Sequence, residues 1–211
     1  MNKHSFWFSL IGPFLILSLS SGVAWATEKS RSLLFNADKS QIISANFDTG
    51  SVSLINRQSG QLIKERVIGK DIRRIALALD SQILAATDYL GDKVILLDAN
   101  SLKVLNQVQV AARPFGIVFD NHHQQFYLSS FEHNRLITLS LEGEVLNQVE
   151  TAQAPRGLAL TRDNRLLVTH ALSGQVSIFN TSNKFPILTK VIQLANSPIT
   201  SPRTVPQGKP R

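Results

Sequence analysis

The 211-residue sequence contains no cysteine. This lack excludes disulfides, thiolate metal sites, catalytic thiols and covalent c-type haem attachment. Aromatic residues make up only 7% of the chain and charged residues 18%, whereas 43% of the residues are hydrophobic. That balance is far from the composition of a disordered protein, which combines low hydrophobicity with high net charge. The sequence therefore predicts a folded protein without thiol chemistry.

Positive charge is in excess but is not concentrated. The 22 lysines and arginines exceed the 15 acidic residues and give a formal net charge of +7, yet no five of them are consecutive. Scattered positive charge favours anionic partners in general, such as acidic polymers, phosphate groups or a membrane surface. We expect a protein or a small anionic ligand as the partner, and no specific nucleic acid.

The first 26 residues have the organisation of a signal peptide. Lys3 precedes an apolar segment at residues 6–19, and the region ends in Ala24-Trp25-Ala26. A charged start, an apolar core and an A-x-A site predict cleavage after Ala26. The apolar segment is short for a membrane-spanning helix, which needs about 20 residues. The sequence predicts a periplasmic or secreted protein; the alternative is an uncleaved leader that acts as a membrane anchor.

From residue 31 onward the sequence repeats itself about every 41 residues. One aliphatic anchor position recurs at Val52, Val94, Leu136 and Val176. A second series of apolar segments keeps nearly the same step and includes Leu33, Ile75, Ile117 and Leu158. A period in this range, without a long helical pattern inside it, is typical of propellers and solenoids.

Each repeat contains short strand patterns separated by polar turns. In the fourth repeat they cover residues 157–160, 166–169, 176–179 and 190–194. Four strands in about 41 residues correspond to one propeller blade. A β-sandwich would have the same strand density but no reason to hold the anchor positions at a constant step. The sequence therefore predicts an all-β fold of about four four-stranded β-propeller blades.

These repeats resemble the YVTN-type repeat, a 40-residue repeat of bacterial β-propellers. Segments 50–56, 92–98 and 174–180 are similar to its N-x-V-x-V-I-D half, and segments 114–119 and 155–160 to its P-x-G-I-A-F opening. Residues 42–46, Ile-Ile-Ser-Ala-Asn, are similar to the element that names the family. The resemblance covers about residues 31–195, although Arg73-Arg74 replaces Pro-x-Gly in the second repeat. It implies rings of usually seven blades, in a family with binding, lactonase-like and dehydrogenase-subunit roles.

The predicted domains are a signal peptide at 1–26, propeller repeats at 27–195 and a tail rich in proline, serine and basic residues at 196–211. The repeats cover about 31–73, 74–114, 115–155 and 156–195. Pro202-Arg203 in the tail resembles Pro155-Arg156, which opens the fourth repeat. We expect a fragment of an incomplete seven-bladed propeller whose tail begins a further blade. The alternative is a flexible tail on an intact small domain.

Two series of polar residues are predicted on one face of the ring. The resemblance implies that the first strand of each blade lies innermost, so the turns entering it share a face with those between the second and third strands. The first series contains Arg31, Arg73, Phe115 and Arg156 at one repeat position, and Arg113, two residues ahead of Phe115, stands in for an arginine there. The second series ends the second strand of each repeat: Asn46, Asp88, Ser130 and His170. Guanidinium groups around one channel mouth could bind carboxylate or phosphate in bidentate fashion, and polar groups beside them would extend the site. The alternative is that these groups cap turns and bridge blades.

Patterns typical of catalysis are lacking. The sequence contains no nucleophile elbow, phosphate loop or HExxH motif. His122 and His123 lie in a predicted solvent-facing turn, whereas His133 and His170 lie in equivalent turns where Glu132 or Asp88 could join a metal site. Zinc and calcium sites need three or more convergent ligands, and no such convergence is evident. We predict no catalytic residue, no metal and no cofactor.

Three functional classes remain open: a binding scaffold, an enzyme or enzyme subunit, and a structural repeat protein. The enzyme alternatives are a lactonase-like protein and a propeller fused to a haem peroxidase or dehydrogenase module. The lack of an acidic cluster disfavours the first, and the lack of cysteine disfavours a haem subunit within this chain. We therefore expect an exported, non-catalytic binding module for an anionic ligand or a protein partner.

Overall fold

The computed structural model describes residues 26–29, 31–78, 80, 82–110 and 112–194 of the chain. Within these residues the backbone forms seventeen β-strands. The described part contains no helix long and apolar enough to cross a membrane. The predicted leader, up to residue 25, and the predicted tail lie outside the described residues.

The strands form four antiparallel sheets, which we call blades 1 to 4. A short N-terminal strand, β1 (Ala26–Lys29), precedes them. Blade 1 consists of β2 (Leu33–Phe35), β3 (Gln41–Asn46), β4 (Ser51–Asn56) and β5 (Leu62–Val67). Blade 2 consists of β6 (Ile72–Ala78), β7 (Ile83–Asp88), β8 (Lys93–Asp98) and β9 (Val104–Gln109). Blade 3 consists of β10 (Pro114–Asp120), β11 (Gln125–Ser130), β12 (Arg135–Ser140) and β13 (Val145–Glu150). Blade 4 consists of β14 (Pro155–Thr161), β15 (Arg165–His170), β16 (Gln175–Asn180) and β17 (Ile187–Gln193). This architecture confirms the predicted all-β fold of four-stranded blades.

The blades stack in sequence order, and each interface is an apolar core. One cluster joins blades 1 and 2 and includes Val52 and Ile75. A second cluster joins blades 2 and 3 and includes Val94 and Phe126, and a third joins blades 3 and 4. Because blades 2 and 3 are covered on both sides, β10 and β11 are buried throughout, as a sheet between two others must be. In blades 1 and 4, by contrast, burial is largely confined to one face.

The turn between the second and third strands has the same conformation in every blade. One residue with positive φ recurs there, at Gly50 (65°), Asp92 (54°), Asn134 (52°) and Gly174 (59°). Glycine, asparagine and aspartate tolerate this left-handed conformation better than other residues. The backbone carbonyl of each of these residues accepts a hydrogen bond from the end of the fourth strand, as Gly50 does from Ile68 over 2.9 Å. This turn therefore ties the outer edge of each blade to the face on which the blade is entered.

The N-terminal strand lies along the inner edges of the blades. β1 pairs antiparallel with β14, the first strand of blade 4, which gives that sheet a fifth strand. Arg31 then bridges to Ile75 in the first strand of blade 2, and Ile75 N–H donates to the Arg31 carbonyl over 2.8 Å. The predicted cleavage site after Ala26 falls within β1.

Candidate ligand-binding site

A backbone irregularity recurs where blades 2, 3 and 4 begin. The register between the first and second strands shifts between Ile72 and Ile75, between Pro114 and Ile117, and between Pro155 and Leu158. Such bulges re-aim side chains and are common near functional sites. The two bulged residues of the three blades are Arg73-Arg74, Phe115-Gly116 and Arg156-Gly157.

A hydroxyl group on the second strand stabilises each bulge. The backbone N–H of Arg74 donates to Thr87 Oγ1 over 3.1 Å, that of Gly116 to Ser129 Oγ over 2.8 Å, and that of Gly157 to Thr169 Oγ1 over 3.0 Å. The hydroxyl oxygen therefore accepts a hydrogen bond from a backbone amide that the bulge removes from the hydrogen-bond ladder between the strands. Because the device repeats, the first bulged side chains of blades 2, 3 and 4 lie at the same end of their blades.

Two guanidinium groups, one from blade 2 and one from blade 4, stack on the ring of Phe115 in blade 3. The guanidinium carbon of Arg156 lies 4.5 Å from the ring centroid, and that of Arg74 lies 5.0 Å from it. Contacts of this length are favourable cation–π interactions, worth about 0.5–1 kcal/mol each when exposed. Phe115 thus holds two cations from different blades close together despite their mutual repulsion.

Tyr89 forms a second centre beside Phe115. The guanidinium groups of Arg73 and Arg113 lie 5.1 and 5.2 Å from its ring centroid, and Arg73 also lies 5.1 Å from the ring of Phe47. The Tyr89 ring meets Phe115 edge-on at 5.9 Å, which joins the two centres. We call the combined set of Arg73, Arg74, Arg113, Arg156, Phe47, Tyr89 and Phe115 the arginine–aromatic cluster.

Carboxylates neutralise only part of this cluster. Arg73 forms an ion pair with Asp71 at 2.6 Å, and Arg113 pairs with Glu132. No carboxylate of the described residues pairs with Arg74 or Arg156. Burial lowers the pKa of the Arg74 guanidinium, and repulsion by Arg156 and Arg73 lowers it further. An arginine nevertheless stays charged, so two cations here lack an acidic partner.

A cavity of about 330 Å³ opens at this cluster, lined among others by Phe47, Arg73, Arg74, Phe115 and Arg156. A larger hollow of about 590 Å³ lies at the opposite ends of the inner strands. Its charged lining is mixed, with Asp80 and Asp120 beside Arg162. Of these two cavities, the smaller one has charged lining residues of one sign. A cavity of about 410 Å³ in blade 1 also has only basic charged residues in its lining, Lys39 and Arg57.

The structure brings most of the predicted arginine series together. Arg73 and Arg113 meet at Tyr89, and Arg156 reaches the same cluster through Phe115. Arg31 is exposed, and its backbone forms the bridge to blade 2 described above. That these residues bind a ligand stays a prediction.

The side chains of the second predicted series form local hydrogen bonds. Asp88 is fully buried, and its Oδ1 accepts the backbone N–H groups of Lys70, Asp71 and Gly91. The hydroxyl group of Ser130 donates to the Ala112 carbonyl. These contacts are those of turn caps, and neither side chain reaches the cavity.

Asn46 and His170 are also engaged within their own blades or at a blade junction. The Asn46 amide donates to Ser51 and Ser53 over 2.9 and 2.8 Å. His170 Nε2 lies 2.8 Å from Ser177 Oγ, and burial lowers the pKa of the imidazole. None of the four side chains of the second series is among the residues that line the cavity at the arginine–aromatic cluster.

The sequence analysis did not identify three cluster residues, of which one departs from the repeat and two keep its step. Arg74 occupies the position at which blades 3 and 4 have Gly116 and Gly157. Phe47 and Tyr89 each follow a residue of the second series directly. The constant step from Phe47 to Tyr89 and on to Phe131 is a signal that would have found them.

The other histidines are not members of the arginine–aromatic cluster. His123 Nδ1 is 2.8 Å from Asp120 Oδ2, which also accepts the Tyr127 hydroxyl over 3.0 Å. His133 is exposed. In the part of the chain that the structure describes, no three histidine or carboxylate groups converge as metal ligands.

Comparisons with known proteins agree on the fold. No protein-family model matches the sequence, and no curated protein matches it. The structure is similar to hydrazine synthase from Kuenenia stuttgartiensis, with a TM-score of 0.69 and 16% identity over 76% of this chain and 48% of that chain. It is also similar to the dihydro-heme d1 dehydrogenase NirN in complex with DHE, with a TM-score of 0.66 and 17% identity over 79% of this chain and 37% of that chain. A functionally unknown protein from Desulfotomaculum acetoxidans DSM 771 has a TM-score of 0.68 and 12% identity over 79% of this chain and 57% of that chain.

These solved structures are β-propeller proteins, so the chain has a β-propeller fold. The chain spans between 37% and 57% of the length of these three proteins. At identities of 12–17% the likeness shows the fold alone, because one propeller scaffold carries many unrelated activities.

Proposed function

We propose that this chain is an exported, non-catalytic propeller module of the YVTN type that binds an anionic ligand at the arginine–aromatic cluster. The observation that carries the proposal is that Arg74 and Arg156 border a cavity of about 330 Å³ and have no carboxylate partner among the residues that the structure describes. Guanidinium groups bind carboxylate and phosphate in a bidentate fork. The ligand class is therefore a small molecule that bears such a group.

The aromatic rings give this site a fixed geometry. Phe115 is 6% exposed and sets the positions of both unpaired guanidinium groups. A flexible surface arginine must lose side-chain entropy when it binds, whereas a stacked arginine has already lost much of it. The cluster therefore supports anion binding better than the scattered basic residues elsewhere on the chain.

The test is calorimetric titration of the chain from Thr27 onward with inorganic phosphate and with citrate at constant ionic strength. Replacing Arg74 and Arg156 together by glutamine should weaken binding of the better probe by about tenfold or more, since a hydrogen bond to a charged group is worth about 1.5–3 kcal/mol. Arg57→Gln is the matched control, because Arg57 also stacks on an aromatic ring, Phe35 at 5.2 Å, but in blade 1 outside the cluster. Equal weakening by the control would show that net charge alone attracts the anion.

The proposed export is tested by identifying the N-terminal residue of the recovered protein. If the leader directs export, the protein recovered from the periplasm or the medium begins at Thr27, and Edman degradation identifies that residue. A chain that stays in the membrane fraction with Met1 intact would support the anchor alternative.

A second candidate is a propeller portion of an enzyme or enzyme subunit. Two similar structures are a hydrazine synthase and a dehydrogenase, and this chain spans 48% and 37% of their lengths. Sequencing the genomic DNA on both sides of the coding segment tests this candidate, because a catalytic module in the same reading frame would support it.

A further inference from the structure

The hydroxyl group that holds each bulge also joins one blade to the next. Thr87 Oγ1 of blade 2 donates to the Phe115 carbonyl of blade 3 over 2.9 Å. Ser129 Oγ of blade 3 donates to the Arg156 carbonyl of blade 4 over 3.0 Å. Both hydroxyls are fully buried. A single side chain therefore accepts an amide of its own blade and donates to a bulge carbonyl of the following blade.

Blade 4 carries the same device without a following blade among the described residues. Thr169 occupies the position of Thr87 and Ser129, and accepts the Gly157 amide in the same way. Its hydroxyl also contacts the Gly157 carbonyl of its own blade over 3.4 Å, as the Thr87 hydroxyl contacts the Arg74 carbonyl over 3.3 Å. No bond from Thr169 to a following blade is present among the described residues. Thr169 is exposed, whereas its two counterparts are not.

The glycine beside this hydroxyl in blade 3 lets the following blade approach closely. A Cβ atom on Gly116 would lie 2.2 Å from the Arg156 carbonyl, so blade 4 can approach blade 3 only because this residue is glycine. Gly157 is the counterpart in blade 4, and the described atoms within 4 Å of a Cβ there belong to Thr169 alone. Its φ lies outside the range that favours glycine. A Cβ atom on Gly157 would lie 2.8 Å from the Thr169 hydroxyl oxygen, so glycine at this position also leaves room for that hydroxyl.

The face of blade 4 that points away from blade 3 is otherwise apolar. In blades 1 to 3 the side chains that face the following blade are fully buried at two repeat positions: Ile43, Ala85 and Tyr127 in the second strand, and Val52, Val94 and Leu136 in the third. The counterparts in blade 4 are Leu167 and Val176, and both are only half-buried. An apolar sheet face of this kind favours a covering partner.

The path and the sequence of the chain indicate what covers it. Val110, Thr151 and Leu194 end their blades alike, each donating a backbone hydrogen bond of 2.8–3.0 Å to the preceding turn. After the first two, the chain continues as Ala-x-x-Pro into the next inner strand, at residues 111–114 and 152–155. Residues 195–198, Ala-Asn-Ser-Pro, repeat that pattern directly after Leu194. They lie outside the described residues.

We propose that residues 198–201 of this chain form the inner strand of a further blade on the free face of blade 4. The Thr169 hydroxyl donates there to the carbonyl of Ile199, the residue that follows the proline as Phe115 and Arg156 do. Leu167 and Val176 become buried beneath the same segment. This inference is independent of the anion-binding proposal.

The chain's lack of cysteine makes the proposal directly measurable. The experiment compares thiol labelling rates of two single-cysteine variants of the chain from Thr27 to Arg211, Thr169→Cys and Thr189→Cys. Thr189 is an exposed threonine in the outer strand of the same blade, and outer strands stay largely exposed even in blades 2 and 3. Because thiol reactivity follows exposure, Thr169→Cys should react about tenfold more slowly than Thr189→Cys. Adding Ile199→Asp should abolish that difference.

Two outcomes would overturn the proposal. Equal labelling of both variants would show that the face is open, and protection that disappears on dilution would show that a second copy of the chain covers it. Amide hydrogen exchange of the unaltered chain keeps the test valid if Thr169→Cys fails to fold. Protection of about tenfold or more at residues 199–201 is expected, and exchange at the rate of an unstructured peptide would refute the proposal.

Discussion

Removing the Ser129 hydroxyl tests whether the bulge device holds neighbouring blades together. Ser129 is fully buried, accepts the Gly116 amide over 2.8 Å and donates to the Arg156 carbonyl over 3.0 Å. Ser129→Ala therefore leaves a buried donor, the Gly116 amide, and a partly buried acceptor, the Arg156 carbonyl, without this partner. One unsatisfied buried group costs about 1–3 kcal/mol, which is a large part of the roughly 5–15 kcal/mol that stabilises a typical domain. We expect the free energy of unfolding to fall by at least about 1 kcal/mol.

Urea unfolding followed by circular dichroism measures this loss. The dependence of the unfolding free energy on urea should keep its slope, because the surface exposed on unfolding is unchanged. Ser182→Ala is the control, since Ser182 is exposed and its hydroxyl takes part in no hydrogen bond within the described structure; a change within about 0.5 kcal/mol is expected there. A loss for Ser129→Ala no larger than that of the control would refute the idea that these hydroxyls stabilise the blade interfaces.

Three further predictions concern the same interfaces and the cluster. Gly116→Ala should lower the melting temperature more than Ser182→Ala does, because its Cβ would lie 2.2 Å from the Arg156 carbonyl and overpacking costs about 1–3 kcal/mol; an unchanged melting curve would contradict the close approach of blades 3 and 4. Burial lowers the pKa of His170 below its ordinary value of 6.5, so the unfolded chain binds a proton more readily and stability should fall as the pH drops through that value. The variant His170→Asn should lose less melting temperature than the unaltered protein between pH 8 and pH 5, and identical losses would exclude His170 as the cause. Tyr89→Leu removes the ring that holds Arg73 and Arg113 and should weaken phosphate binding without unfolding the protein; calorimetric titration checks the first part and circular dichroism the second.

The fold could be predicted because the repeat in the sequence corresponds to a repeat in the packing of the blades. Val52, Val94 and Leu136 recur at a constant step because each one faces the following blade, and all three are fully buried. Val176 continues the step but is only half-buried. Periodicity alone therefore identifies the blade and the direction of a side chain, whereas burial depends on what packs against it.

The second series of predicted site residues shows why a shared position does not define a site. Asp88 ends the second strand of its blade, where the chain turns and the amides of Lys70, Asp71 and Gly91 need an acceptor. A carboxylate at a strand end satisfies such amides first. From the sequence, the same aspartate can be interpreted as a ligand or as a cap, and only the positions of the amides distinguish the two.

The candidate site combines residues that keep the repeat with one that departs from it. Arg73, Phe115 and Arg156 are the first bulged residues of their blades, and Phe47 and Tyr89 share another repeat position. The second bulged residue is glycine in blades 3 and 4, and at Gly116 it permits the close approach of blade 4. Blade 2 has Arg74 there instead, and its guanidinium reaches across to Phe115 of blade 3. This departure from the repeat adds a cation beside Arg156 where blades 3 and 4 have a glycine, and periodicity alone could not predict it.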